Sequence, residues 1–306
     1  MSAYTGKKSG HFTPLRYPGG KGKLASFVKA VIRQNRLSDG EYVEPYAGGA
    51  AIALELLLQE YVTRIHINDL SRPIYSFWSS VLNDTDNLCR MIRDTPITVE
   101  SWDRQKILMR SAQDAESELD VGFATFFLNR TNRSGILNAG IIGGRDQTGP
   151  WKIDARYNTN ELIDRIQTIA SSRSRISLTQ KDALAFLKEG EKVWPTKTLI
   201  YLDPPYYVKG KELYYNFYNP DDHSVIAEFV TKSITNQMWM VSYDNVEPIQ
   251  QLYSGFRRSI YGIGYSARSA KQGSEVMFFS NQMDIPGLIG PLVETEAPPR
   301  TLALAV

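Results

Sequence analysis

Short apolar runs alternate with longer stretches whose apolar residues recur at helical spacing. The short runs, residues 42–44, 64–68, 175–178, 198–202, 238–241, 257–263 and 275–280, read as strands. Helices are expected after each of the first five. Residues 50–58 follow the first, and a segment capped by Ser71 follows the second. Asn219, Pro220, Asp221 and Asp222 have the order of a helix start: a capping side chain, proline in the first turn, then acids at the positive end of the dipole. Val225, Ile226, Phe229 and Val230 give that helix an apolar stripe. This alternation predicts an α/β domain with a mainly parallel sheet. The last two strands bracket a Gly/Ser-rich connection, residues 262–273, and are expected to pair antiparallel.

The alternation breaks between Asp84 and Asn158. Helical spacing over 99–112 and 116–131 is followed by residues 138–153, where Gly140, Gly143, Gly144 and Gly149 suggest a hairpin. A mainly helical insert with a β-hairpin is expected over 84–158, dividing one domain into parts at 1–83 and 159–283. Residues 284–306 carry Pro286, Pro291, Pro298 and Pro299, lose periodicity, and read as a weakly ordered tail.

Composition narrows the class. With 42% hydrophobic and 22% charged residues among 306, the chain has globular material for one large domain with an insert. Cys89 is the only cysteine, and the three histidines (His11, His66, His223) are scattered, so neither a disulfide framework nor a metal centre is expected. No run approaches a membrane span and the polar start lacks a signal-peptide core, which predicts a cytoplasmic protein. The net charge of +2 is unevenly spread. Residues 1–36 hold eight Lys/Arg (Lys7, Lys8 and Arg16 among them) and no acid, and residues 129–175 hold eight against four acids. A polyanionic partner would select for this, although solvated helix faces give the same count.

The sharpest chemical signal is Asp203-Pro204-Pro205-Tyr206 at the end of the fourth strand. A strand-ending turn accounts for the prolines but not for the flanking acid and aromatic. In an open α/β sheet, ligands bind beyond the carboxyl ends of strands. There the Asp203 carboxylate and Pro204 carbonyl are two acceptors able to grip an –NH2 group, and Tyr206 offers a face for a planar base. Glu44-Pro45-Tyr46-Ala47-Gly48-Gly49-Ala50 follows the first strand, where glycines admit a ligand close to the backbone. It lacks the GxGxxG spacing of nicotinamide folds. Asp69, ending the second strand, suits ribose hydroxyls, although taken alone it reads better as a helix-start acid; Asp182, after the third strand, has the same ambiguity. Arg16-Tyr17-Pro18-Gly19-Gly20-Lys21 is a turn opening a helix and is not a Walker P-loop.

With RYPGGK, EPYAGGA, ND, an insert and DPPY in this order, the chain resembles the Dam-type DNA adenine methyltransferases over about residues 12–281. The resemblance implies a Rossmann-like, seven-stranded S-adenosylmethionine-dependent methyltransferase sheet whose insert is the target-recognition domain. It implies S-adenosylmethionine as donor and the exocyclic amine of a flipped-out adenine in double-stranded DNA as acceptor. Carried over, Tyr17, Lys21, Glu44, Pro45, Gly48, Gly49, Asp69, Asp182 and Asp203 would surround the donor, and Asp203, Pro204, Pro205 and Tyr206 would hold the target. Lys7, Lys8, Arg16, Asn129, Arg130, Arg133, Arg145, Lys152 and Arg156 would face DNA. The chain departs from the family in having Tyr17 for the usual Trp, Tyr46 for Phe and Ala50 for Gly. A bacterial or phage setting, with a cognate restriction enzyme or defence component as partner, is the implied context. Methylation of cytosine's amine and a non-catalytic DNA-binding relative are the competing readings. No recognition sequence follows from the residues.

Overall fold

The computed structural model describes residues 12–16, 21–207, 218–263, 274–287 and 292–294. Strands β1 (Gly40–Glu44), β2 (Val62–Asn68), β3 (Ile176–Thr179), β4 (Thr198–Leu202), β5 (Met238–Asp244), β6 (Arg257–Ile263), β7 (Glu275–Phe279) and β8 (Leu292–Glu294) form one sheet in the order β3-β2-β1-β4-β5-β7-β6-β8. The first five are parallel, with Tyr42 level with Ile65 and Leu199 level with Met238. β7 runs antiparallel between β5 and β6, and the β6–β7 pairing is the one expected from the Gly/Ser-rich sequence between them. The expected seven strands are all present, and the fold is the methyltransferase-type α/β sheet.

Strand alternation sorts the core onto two faces. Tyr42, Leu199, Tyr201 and Met240 join the cluster on one face, and Val43, Ile200, Leu202 and Val241 the cluster on the other. Helices α1 (Ala25–Gln34), α2 (Ala51–Leu58) and α3 (Arg72–Asn83) cover the first face. Helices α8 (Ala183–Gly190), α9 (Pro220–Lys232) and α10 (Glu247–Leu252) cover the second. Because both faces are dry, β4 is buried at every position, which is why residues 199–202 are an unbroken apolar run. The cover changes face as the chain passes from β3 to β4, so the strand order reverses between β1 and β4.

The insert contains α4 (Thr85–Asp94), α5 (Val99–Arg110) and α6 (Glu118–Thr131), and α7 (Thr159–Ala170) follows it. Its apolar residues are not a separate core: Leu88, Ile92, Phe123, Phe126 and Phe127 belong to the cluster that covers β1. Phe126 stacks on Phe77 of α3 and meets Tyr157 edge-on. Helices α3 and α6 touch at Gly122, where a Cβ would lie 2.5 Å from the Ser76 carbonyl oxygen.

Two expectations fail. The segment 138–153 is not a hairpin: only Ile141 makes a β-bridge, to Asn132, and the rest is turns. Gly143 and Gly144 take φ of +84° and +80°, and the Gln147 side chain supplies the bonds a ladder would have made. In the region expected to be a loose tail, residues 292–294 extend the sheet by pairing with β6. Three residues are too short to show a period in a Pro-rich sequence.

Candidate active site and nucleic-acid interface

The carboxyl ends of β2, β1 and β4 lie side by side at the point where strand order reverses. Asn68 locks the first of these ends together. Its amide donates to the Pro45 and Lys181 carbonyls, both at 3.0 Å, and its oxygen accepts from Thr179 Oγ1 and the Lys181 N–H. The Gly48 turn is held by the Trp78 indole, which donates to the Gly48 carbonyl at 2.9 Å. Asp69 accepts the Gly48 and Ser71 N–H groups, each at 2.9 Å. Burial nevertheless pushes its carboxyl up to about 6, with those two bonds opposing the shift.

Glu44 is buried. It accepts the Tyr42 hydroxyl at 2.9 Å and a backbone N–H of Ala53 in the first turn of α2, and burial raises its carboxyl to about 8. It braces the β1–α2 turn from beneath. Asp182 is exposed and caps α8, accepting the Leu184 and Ala185 N–H groups. Its helix-start reading therefore describes what the carboxylate does.

Asp203, Pro204, Pro205 and Tyr206 leave the end of β4 with the prolines buried and the acid and tyrosine half-buried. Ser242 on neighbouring β5 donates to Asp203 Oδ1 at 2.7 Å. With that proton committed, Ser242 accepts from Tyr201, also at 2.7 Å. The Tyr206 hydroxyl donates to Glu275 Oε1 at 2.8 Å, and Tyr261 donates to the other oxygen of the same carboxylate at 2.9 Å. The Tyr207 N–H is held by Asp244 at 2.9 Å. The turn is thus fastened to β5, β6 and β7 before any ligand arrives.

A second site lies where the insert meets residues 12–16. Arg130 donates to the Arg156 and Pro14 carbonyls, Arg165 to the Thr13 carbonyl, and Arg16 to the Asn132 carbonyl. Burial brings Arg130 down to about 10, and the charges of Arg16, Arg165 and Arg156 push the same way, with only Glu161 opposing. Arg16 is lowered by burial and then by Arg156. Guanidinium groups crowded in this way form a surface that an anion relieves.

Residues 17–264 match the family described as D12 class N6 adenine-specific DNA methyltransferase. The chain belongs to that family. This adenine-specific DNA methyltransferase is 23% identical over 263 residues to the Type II methyltransferase M.MjaIII of Methanocaldococcus jannaschii, covering 79% of this chain and 88% of the relative. Among solved structures it is similar to the rRNA methyltransferase aviRa of Streptomyces viridochromogenes, with a TM-score of 0.36 and 11% identity over 92% of this chain and 97% of that one. Protein LPL1258 of Legionella pneumophila aligns with a TM-score of 0.33 and 10% identity over 87% of this chain and 86% of its own. The fold assignment rests on the strand order, not on these two likenesses.

In this methyltransferase, Gly48, Gly49, Asp69 and the Asp203 turn lie at adjacent strand ends. Lys7, Lys8 and Tyr17 lie outside the described residues, and Lys21 opens a short 3-10 turn, Lys21–Leu24. Of the residues expected to face DNA, Arg133, Arg145, Lys152 and Arg156 are exposed, with Arg145 paired to Asp103 at 2.7 Å. Asn129 does not face outward. It is 2% exposed, accepts the Arg16 N–H at 2.7 Å, and donates to the Arg16 and Gly135 carbonyls. A polar residue beside two arginines at a helix end resembles a surface contact in sequence, but here it is a buried clasp. Sequence reasoning gave no individual role to Ser242, Glu275, Asn68 or Arg165, because their partners lie far away along the chain. Among the described residues no cluster suits a metal, and no helix is long and apolar enough to cross a membrane.

Proposed function

We propose that this adenine-specific DNA methyltransferase transfers the methyl group of S-adenosylmethionine to the exocyclic amine of an adenine flipped out of double-stranded DNA. The observation that carries the reading is the Asp203–Pro204 turn, fixed by Ser242 beside the β1 and β2 ends. The residues at those ends suit the donor: Gly48 and Gly49 admit it to the backbone, and the Asp69 carboxylate is an acceptor for ribose hydroxyls. When bound, the donor supplies an electrophilic methyl group, so no metal or covalent nucleophile is needed.

The protein's task is to prepare the amine, whose lone pair is delocalised into the ring. Hydrogen bonds from the amine to Asp203 and to the Pro204 carbonyl favour a tetrahedral nitrogen with its lone pair directed at the methyl group. The carboxylate then stabilises the cationic amine that results and accepts its proton. A base inside the duplex cannot reach these acceptors, so it must leave the stack. Tyr206, its hydroxyl tied to Glu275, presents a fixed ring for it to rest on. Arg16, Arg130, Arg133, Arg145, Lys152 and Arg156 supply phosphate contacts, and Arg165 joins them. The protein would act on intracellular DNA, and the Type II designation of the M. jannaschii relative supports a cognate restriction enzyme as partner.

Asp203→Ala should abolish methyl transfer while leaving the fold, by circular dichroism, and weak donor binding intact. Normal turnover by that variant would end the reading of the turn. A nucleoside digest of DNA treated with the wild type should contain N6-methyladenine; N4-methylcytosine in its place would overturn the assigned acceptor.

A further inference from the structure

Five tryptophans divide sharply by environment. Trp78, Trp102, Trp194 and Trp239 are 1%, 9%, 7% and 1% exposed, whereas Trp151 is 66% exposed. Its loop is not loosely built. Gln147 donates to the Ile142 and Gly144 carbonyls and accepts the Ile153 N–H, and the Gly149 N–H closes on the Gly143 carbonyl. The ring is thus held in water by a self-fastened loop, where it is available for contact.

The surroundings say what kind of contact. The Arg156 guanidinium carbon sits 5.9 Å from the centroid of the Trp151 ring system, and Arg156 belongs to the crowded arginine group already described. Beside the indole is an open hollow of about 380 Å³, lined by Trp151, Pro150, Ile142, Gly143, Gly149 and Arg133. Its wall is mainly apolar side chain and glycine backbone, with the Thr148 side chain and a cation, Arg133, beside them, which suits a flat ring attached to a phosphate. Nearby acids are few: Asp103 is taken by Arg145, Asp146 accepts the Thr148 hydroxyl, and Asp154 is exposed.

We propose that Trp151 is an aromatic contact of the target-recognition insert, stacking on a nucleobase of the bound duplex while Arg133 and Arg156 hold the flanking phosphates. The inference rests on the DNA reading above. A base can meet the indole face only where the duplex is locally opened, so Trp151 contributes at the distortion that base extrusion creates and not along uniform duplex.

Because the other tryptophans are buried, Trp151 reports on itself. Acrylamide quenching of the full-length protein should show one accessible component, absent in Trp151→Phe. Plasmid DNA from a host without adenine methylation, added at low salt, should remove that component from the wild type. Trp151→Ala should bind the plasmid and methylate it roughly 5- to 150-fold less well, the range expected for a lost base–aromatic stack. Trp151→Phe should stay within a few-fold of wild type, and both variants should unfold at the wild-type temperature. Overturning results are an indole as accessible with DNA as without it, or Trp151→Ala binding at wild-type strength. An accessibility that depends on protein concentration instead of DNA would assign the ring to contact between copies of the chain and also defeat the proposal. Wild-type methylation of the same plasmid, followed in parallel, separates the two failures: if it is absent, the DNA reading fails as well.

Discussion

Replacing Asn129 by alanine tests how the segment leading into RYPGGK is tied to the insert. The side chain makes three hydrogen bonds, at 2.7 Å from the Arg16 N–H, 2.7 Å to the Arg16 carbonyl and 2.9 Å to the Gly135 carbonyl. One buried amide thus satisfies both backbone groups of Arg16, as a neighbouring strand would. Each bond contributes about 1 kcal/mol net, so their joint loss amounts to about 3 kcal/mol if the groups stay dry. They need not stay dry. Residues 12–16 are held otherwise by Arg165 on Thr13, Arg130 on Pro14 and the Arg16 side chain on Asn132, and they can lift locally toward water. The expected result is therefore regional. Hydrogen exchange at 12–16 should accelerate on the order of 100-fold, the equivalent of about 3 kcal/mol in opening free energy, while the urea midpoint falls only modestly. Donor affinity should weaken too, because the RYPGGK motif begins at Arg16. Asn129→Asp should do no better than alanine, since a carboxylate keeps the acceptor but faces two carbonyls. Unchanged exchange at 12–16 in the alanine variant would refute the clasp.

The Asp69 carboxyl is raised to about 6 by burial, so below that pH it is protonated and a poorer acceptor for ribose hydroxyls. Donor affinity measured calorimetrically should fall about tenfold per pH unit below 6, and Asp69→Asn should flatten that dependence. The same shift means that the folded chain keeps a proton the unfolded chain has lost. This stabilising contribution is complete below about pH 4 and disappears as pH rises through 6; a urea-midpoint comparison with Asp69→Asn checks the sign. Ala50, at φ +46° and ψ +33°, occupies the left-handed region. Ala50→Gly removes about 1–2 kcal/mol of strain but gives up a buried core methyl, about 0.8 kcal/mol, and about 0.4–1 kcal/mol through the freer unfolded chain, so Tm should stay within about a degree of wild type, and a fall of several degrees would contradict the backbone assignment. Ser242→Ala withdraws a hydroxyl donor from the Asp203 carboxylate, a charge-assisted bond of about 1.5–3 kcal/mol. It should lower kcat at least tenfold with little change in KM for DNA; an equal loss in KM would point to a binding role instead.

The parts legible in the sequence are those whose physics is local. Residues 199–202 read as buried strand because their side chains enter apolar clusters on both faces of the sheet. Asn219 and Pro220 read as a helix start, and the Asn219 N–H is indeed held by Asp222 at 2.7 Å. The turns at Gly48 and Asp203 announce themselves because their residues are consecutive. What holds those turns is not consecutive: Ser242 lies 39 residues beyond Asp203, and Glu275 lies 69 beyond Tyr206. A serine or glutamate in an otherwise apolar strand carries no sign of its partner until register brings the two together. The segment 138–153 is illegible for a different reason. Its glycines permit a hairpin and a closed loop equally, and the choice is made by the Gln147 amide bonding inward.

The two halves of the chemistry meet in one short segment. Arg16 opens the RYPGGK motif, its backbone is clasped by Asn129 of α6, and its guanidinium stands among the arginines of the insert. Helix α6 is in turn packed through Phe126 onto α3, whose Trp78 holds the Gly48 turn. On the function proposed above, a phosphate settling among these guanidiniums would relieve repulsion at the same residue whose backbone leads into the RYPGGK motif. Any effect of DNA on donor affinity through this segment must then be matched by an equal effect of donor on DNA affinity. Since the insert shares its core with the sheet instead of hinging on a linker, that exchange has a short packed route and needs no movement of one domain against another.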